Sequence, residues 1–480
     1  MSEDFLWSGF GLVPPLAARV SGRAPVGVSG VSIDTRTLLP GDLYFAIRGE
    51  RNDGHDFAEA AFGKGAAAAV VDETHADRLR DLGALYVVDD VLASMENLGR
   101  AARARGETQV IAVTGSVGKT SVKEALRTVL SAAGETHASA ASYNNHWGVP
   151  LTLARMPREA KYGVFEIGMN HAGEITPLTE MVRPHVAVIT TIAPVHLEHF
   201  SSVDAIAEAK AEIFSGLEPG GAAILNRDIA QYHLLLRRAR DSRAGRVLTF
   251  GEHSDADARL VSFSPTSAGS RVVARVSGGE VAYDLAAPGK HVAMNSLAVL
   301  LAAARVGVDP AAAARSLGDF EAPAGRGQRV ALRVADGDAT LIDESYNANP
   351  TSMRAALALL GEARIDGAGR RIAVLGDMLE LGPEAAMLHQ GLVDAIRENR
   401  VDTVFAAGPL MKTLYDALPA RMQGAWAAKS AEIESPLVET LAAGDVVMVK
   451  GSNGSRMGPI VSTLKQKFAR HDEAAERRGI

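Results

Sequence analysis

An α/β architecture in three domains is what this sequence predicts, on three observations. The chain has 480 residues, enough for about three domains. Short apolar runs such as Val110–Val113, His185–Thr191 and Val446–Val449 alternate with segments of helical periodicity, the pattern of parallel sheets with helical crossovers. One run leads through a glycine-rich turn into a helix: Thr114-Gly115-Ser116-Val117-Gly118-Lys119-Thr120. Composition narrows the class. Hydrophobic residues make up 47% and charged residues 22%, as in soluble globular proteins. A net charge of -7 leaves no basic footprint for nucleic acid. The absence of cysteine excludes disulfides, thiolate metal sites and a cysteine nucleophile, and suits a reducing compartment. Met1-Ser2-Glu3-Asp4 lacks the basic and apolar regions of a signal peptide. Apolar runs such as Ala293–Ala304 are too short to span a bilayer. A cytoplasmic protein without membrane insertion is expected.

The first domain is placed at 1–105. Val28–Arg36 alternates like a strand, Pro40-Gly41-Asp42 is a turn, and Leu43–Ile47 is a second strand. Arg48–His55 is a polar loop, Phe57–Phe62 a helix and Ala67–Val71 a strand. The polar residues Asp34, Arg36, Arg48, Asp53 and His55 read by themselves as a solvated surface.

The central domain is placed at 106–322, a mostly parallel sheet around a phosphate loop. Val110–Val113 is a buried strand, and Thr120–Leu130 a helix with Val122, Ala125, Leu126 and Val129 on one face. The turn between them aims backbone N–H groups at one spot, and the helix dipole adds attraction for an anion. Lys119 can reach outer phosphates, and the Thr120 hydroxyl can hold Mg²⁺. The loop is a shortened Gly-x-x-Gly-Lys-Thr, with Val113 where the usual spacing has its first glycine. Ser142–Pro150 reads as a loop whose amides donate and accept without charge. Gly163–Ile167 and His185–Thr191 are strands, and Asp204–Gly216 is a helix. Ligands of such sheets sit beyond the C-terminal strand ends, where Thr114, Glu166 and His196 fall. Glu166 is a carboxylate suited to Mg²⁺. His196 reads equally as a ligand or a plain polar side chain. Lys210 reads as a solvated helix residue, because an ammonium repels a metal unless converted to an anion. Arg259–Leu285 changes to short alternating strands, a small antiparallel layer, and Gly289–Val306 returns to helix.

The C-terminal domain is placed at 323–480 and is Rossmann-like. Pro323–Gln328 is a linker, Ala339–Asp343 a strand and Glu344–Pro350 a turn. Thr351 caps a helix to Leu360. Arg371–Leu375, Thr403–Phe405 and Val446–Val449 are further buried strands. Lys450–Ser455 does not match phosphate-loop spacing. The tail after Lys465 is a solvent-facing helix end.

Taken together, the motifs resemble the Mur ligase family of peptidoglycan synthesis over almost the whole chain. The resemblance is carried by Ser32–Arg36, Asp53-Gly54-His55, Thr114–Thr120, Asn144-Asn145 with Gly148-Val149-Pro150, and Glu166–Asn170. It continues in Gly173–Ile175, His196-Leu197-Glu198, Ala209–Phe214, Asp343–Pro350, Leu375–Gly382, and Lys450–Ser452 with Ser455–Met457. The shortened phosphate loop is this family's own form. Asn347-Ala348-Asn349-Pro350 and Leu375–Gly382 point to the member that uses D-alanyl-D-alanine, and the former away from a folylpolyglutamate synthase. A long third domain with its own sheet and polar strand-end loops argues against a nucleotide switch without ligation.

The resemblance implies ATP and Mg²⁺, with UDP-N-acetylmuramoyl-tripeptide and D-alanyl-D-alanine as substrates, joined by an amide through an acyl phosphate. It also implies roles. Gly115, Ser116, Val117, Gly118, Lys119, Thr120 and Ser121 cradle the nucleotide. Thr120 and Glu166 hold a first magnesium. His196 and a carbamylated Lys210 serve a second, so Lys119, Glu166, His196 and Lys210 form the catalytic set. Asn295 contacts adenine, and Arg326 and Asp343 contact the nucleotide. Thr35 and Arg36 hold the UDP end, Asn144 and Asn145 line the substrate path, and Asn347 and Asn349 orient the dipeptide. Val292 stands where the family usually has Asn, and Glu344 replaces a common Asp with its charge kept. A monomer is expected.

Overall fold

The computed structural model describes residues 5–140, 142–195, 197–266 and 269–468. Three larger sheets organise the chain. The first has five strands in the order Arg19–Ser21, Leu85–Val88, Ala68–Asp72, Asp42–Phe45, Gly30–Ser32. Its first pairing is antiparallel and the rest are parallel. The expected continuous strand Val28–Arg36 is broken. Gly27–Val28 pairs with Trp7–Ser8, and Gly30–Ser32 joins the five-stranded sheet. Beyond Ser32 the Asp34 carboxylate accepts from the Arg36 N–H at 2.9 Å, a side-chain turn that competes with strand pairing. The helix Val91–Ala104, opened by Asp90 accepting from the Ala93 N–H at 2.9 Å, buries Met95 and Leu98 in the core of this sheet.

The central sheet has nine strands. Thr136–Ala138, Tyr162–Glu166, Gln109–Thr114, Val186–Ile189, Ala222–Asn226 and Arg246–Gly251 follow one another in parallel register. Ala258–Thr266, Gly269–Val276 and Gly279–Leu285 complete it. These last three are antiparallel to one another, as expected, but they are not a separate layer. Phe250 and Gly251 pair in parallel with Ala258 and Arg259. The reason is burial: Leu260, Val272, Ala274, Tyr283 and Leu285 share one core with Val122, Leu126 and Leu297. The helix Lys119–Ser131 buries Val122, Leu126, Val129 and Leu130 there, each worth about 1.5–3 kcal/mol. That packing fixes the direction in which the helix N-terminus points. The expected loop Ser142–Pro150 ends early, in the helix Gly148–Ala154. The Asn145 side chain accepts from the Trp147 and Gly148 N–H groups at 3.2 and 2.9 Å where that helix begins.

The third sheet runs Gln328–Val334, Gly337–Glu344, Val446–Lys450, Arg371–Gly376, Thr403–Ala407, Gln423–Ala427. Only its first pairing is antiparallel. The helix Pro350–Glu362 is capped by Asn349, not by Thr351. Asn349 Oδ1 accepts from the Ser352 N–H at 2.8 Å, and Ser352 Oγ accepts from the Asn349 N–H at 3.0 Å. Pro350 fits the first helical position, where its missing N–H costs nothing. Asn349→Ala is therefore expected to cost about 1 kcal/mol, read as a lowered denaturant midpoint. An unchanged midpoint would remove the capping role. Residues 469–480 lie outside the described residues. Among the described residues, no helix is long and apolar enough to cross a membrane.

Candidate active site

The strand Gln109–Thr114 delivers the chain to Gly115, whose φ is +148°, and the loop closes at Gly118, φ +88°. Both conformations suit glycine, and both positions are crowded. A Cβ at Gly115 would lie 1.9 Å from Thr190 Oγ1, and one at Gly118 would lie 2.7 Å from Asn295 Nδ2. The neighbouring strand end clamps the loop from the other side. The Ser116 N–H donates to the Thr191 carbonyl at 2.8 Å, and Thr190 Oγ1 donates to the Val117 carbonyl at 2.5 Å. Free loop amides and a helix N-terminus are thus held rigid at one place, an anion cradle. Lys119 Nζ donates to the Gly115 carbonyl at 2.6 Å across the loop. Burial, with Arg326 adding to it, lowers the Lys119 ammonium from its usual value, and Glu166 opposes this.

Glu166, at the end of the adjacent strand, is buried. Its carboxylate is held on both sides. Thr120 Oγ1 donates to Oε2 at 2.7 Å, and Asn144 Nδ2 donates to Oε1 at 2.7 Å. A hydroxyl and a carboxylate at this spacing, beside a phosphate cradle, are oxygen donors of the kind a hard divalent cation prefers.

The loop opens on a cavity of about 480 Å³, a size typical of small-molecule sites. Its central-sheet wall is made by Ser116–Lys119, Ser121, Asn144, Glu166 and Asn295. Arg326 comes from the connecting segment, and Glu344, Tyr346, Asn347, Asn349 and Lys450 come from the third sheet. Arg326 ties the walls together: its guanidinium lies 4.0 Å from the centre of the Tyr346 ring and donates to Ser142 Oγ at 3.2 Å.

Comparison with known proteins assigns the architecture. Residues 27–111 match the Mur ligase family catalytic domain, 113–303 the Mur ligase middle domain, and 325–453 the Mur ligase glutamate ligase domain. The UDP-N-acetylmuramoyl-tripeptide--D-alanyl-D-alanine ligase of Rickettsia prowazekii is 31% identical over 458 residues, 95% of this chain and 99% of that protein. Its counterpart in Escherichia coli is 35% identical, over 92% of this chain and 95% of that one. This chain belongs to the Mur ligase family. A crystal structure of MurF from Acinetobacter baumannii superposes with a TM-score of 0.83 at 28% identity, covering 96% of this chain and 99% of that one.

Within this Mur ligase, the residues singled out in the sequence fall into three groups. Ser116, Val117, Gly118, Lys119, Ser121, Asn144, Glu166, Asn295, Arg326, Asn347 and Asn349 line the one cavity. Gly115 and Thr120 stand directly behind it in the loop and the helix start. A second group lies elsewhere. Asp343 is buried, its carboxylate taken by Ser345 Oγ at 2.7 Å and Lys465 Nζ at 3.3 Å. Asn145 is exposed at the start of the Gly148–Ala154 helix. Thr35 and Arg36 sit on the first sheet's loop, where Arg36 pairs with Asp34 at 2.6 Å and the Thr35 carbonyl accepts from Lys64 Nζ at 2.7 Å. Lys210 makes a third group by itself. It is 1% exposed rather than solvated, and makes no ion pair or hydrogen bond among the described residues. Burial, reinforced by Lys119, pushes its ammonium well below its ordinary value. His196 lies outside the described residues.

Several cavity residues of this Mur ligase escaped the sequence reading. Asn226 ends the next parallel strand, its Nδ2 donating to the Thr190 carbonyl at 3.2 Å. The rule that ligands sit at strand ends would have found it. His291 and Met294 flank Asn295 on the same helix. Val292, one residue on, points instead into the core, which explains an apolar residue there. The polar loop of the first sheet is not simply solvated. His55 is buried, its Nδ1 2.6 Å from Asp53 Oδ1 and its Nε2 accepting from the Asp72 N–H at 3.1 Å. His75 stacks on it with centroids 4.0 Å apart and planes at 14°. Near-parallel rings cannot both aim in-plane lone pairs at one ion, so this cluster reads as a structural lock.

Proposed function

We propose that this Mur ligase joins D-alanyl-D-alanine to UDP-N-acetylmuramoyl-tripeptide with cleavage of ATP to ADP and phosphate. The observation that carries the reading is the phosphate cradle, with Lys119 and the Thr120–Glu166 pair, opening on a cavity whose far wall belongs to another sheet. Near-full-length similarity to ligases of that name supports it. A carboxylate is a poor electrophile because its leaving group would be oxide. Transfer of the γ-phosphoryl group forms a carboxyl O–P bond and breaks the bond to ADP. The dipeptide amine then attacks the acyl carbon, loses a proton, and expels phosphate. The loop amides and Lys119 stabilise charge on the transferring phosphoryl group, and the two walls position the reactants.

The donors present fit magnesium. Thr120 and Glu166 would hold it, and Lys210 as a carbamate, with His196, would hold a second. When bound, these ions supply charge neutralisation on the phosphates. We assign 1–105 to the nucleotide sugar through Thr35 and Arg36, 106–322 to ATP, and 323–480 to the dipeptide. Asn295 and Arg326 serve the nucleotide from the cavity wall. A monomer working in the cytoplasm belongs to the same reading.

The test is phosphate release from purified protein. It is expected only when ATP, UDP-N-acetylmuramoyl-tripeptide and D-alanyl-D-alanine are all present, and glutamate should not replace the dipeptide. Release that ignores the dipeptide would contradict the assignment.

A further inference from the structure

The third-sheet wall of the cavity carries a charge pair that the chemistry above does not use. Apart from Lys119 and Arg326, Lys450 is the only lysine or arginine lining the cavity among the described residues. It ends the strand Val446–Lys450 and is 2% exposed. Its Nζ donates to Glu344 Oε2 at 3.1 Å and to the Asn347 carbonyl at 2.8 Å. An ammonium has three donors, so one remains for the cavity. Two residues on, Ser452 Oγ donates to the Ala348 carbonyl at 3.3 Å. The strand end and the Asn347–Pro350 turn are therefore one unit.

A buried ion pair is weak support for stability, since apolar residues of the same volume often do as well. Its place on the wall of a binding cavity calls for another account. The incoming dipeptide supplies one. It carries a terminal carboxylate, and stripping water from that group is costly unless a cation receives it. Lys119 and the loop amides face the phosphates from the opposite wall. We propose that Lys450 receives the terminal carboxylate of the incoming dipeptide and thereby sets specificity for an amine substrate that bears one. Glu344 and the Asn347 carbonyl fix the direction of the ammonium. This rests on the ligase reading and names a residue for its acceptor side.

The experiment compares D-alanyl-D-alanine with its C-terminal amide in steady-state phosphate release by the full chain. The native protein should prefer the acid by roughly 10- to 100-fold in kcat/KM, the range for a hydrogen bond to a charged group. Lys450→Met combined with Glu344→Gln leaves no buried charge alone, and it should bring the preference close to unity with KM for ATP unchanged. Lys450→Arg, which keeps the charge, should keep part of the preference. Equal use of acid and amide by the native protein overturns the proposal while the ligase reading stands, and needs no variant to fold. A preference that survives in the neutral pair overturns it as well, including when KM for ATP rises instead. Failure of the ligase reading shows differently, as phosphate release that never required a dipeptide.

Discussion

Lys119→Ala is expected to lose at least roughly 10²- to 10³-fold in turnover, the scale on which a single transition-state donor acts. Lys119 stands at the start of the helix Lys119–Ser131, its ammonium crossing the loop to the Gly115 carbonyl. Alanine keeps the helix, since its propensity is the best of all residues. The loop amides stay in place because Thr190 and Ser116 clamp them. The variant should therefore fold, and still bind nucleotide, more weakly. Phosphate release measured beside nucleotide titration separates the two effects. Lys119→Arg should also be impaired, because a planar fork does not replace a compact point charge in a site this crowded. Near-normal turnover in Lys119→Ala would remove the phosphate-loop assignment.

Lys210→Ala should be close to inactive and should recover in part when short carboxylates such as formate or acetate are added. A buried ammonium without a partner is an expense to the fold. Conversion to a carbamate, by attack of the neutral amine on CO₂ with loss of a proton, would replace it with an anion near Lys119. Lys210→Met fills the same space without charge and should unfold no more easily than the native chain, while being as inactive as the alanine variant. A purely structural lysine would show the reverse, a stability loss with activity retained in the folded fraction. Rescue is scored as restored phosphate release that depends on carboxylate concentration. Its absence would sink the carbamate and leave the fold untouched.

What could be read from the chain alone followed how local each signal was. The phosphate loop was legible because glycine, Lys119 and Thr120 fall within seven residues, between a strand and a helix that announce themselves by periodicity. Glu166 was legible because a lone acid at the end of an apolar strand is conspicuous. The cap of the Pro350–Glu362 helix was misread by two residues, because Asn349 and Thr351 are both good caps and only the reciprocal bond with Ser352 decides between them. The antiparallel strands from Ala258 to Leu285 were recognised as strands. That they extend the main sheet depends on pairing between Phe250 and Ala258 and on a core shared with Leu297, and no local pattern encodes either. Lys210 was misjudged for the same reason, since burial of a helix lysine is decided by what packs over it. Lys450 stood in a recognised motif, but its partner Glu344 is 106 residues away, so the pair was invisible before folding.

The cavity draws its two faces from strands that belong to different hydrophobic cores. On the proposed assignment, the groups that handle triphosphate hang from one and those that would greet the acceptor hang from the other. Under that assignment, changes in one core would alter acceptor choice without disturbing the energy-coupling half. A chimera that grafts a third sheet from a relative with another amine should keep nucleotide affinity and change its product.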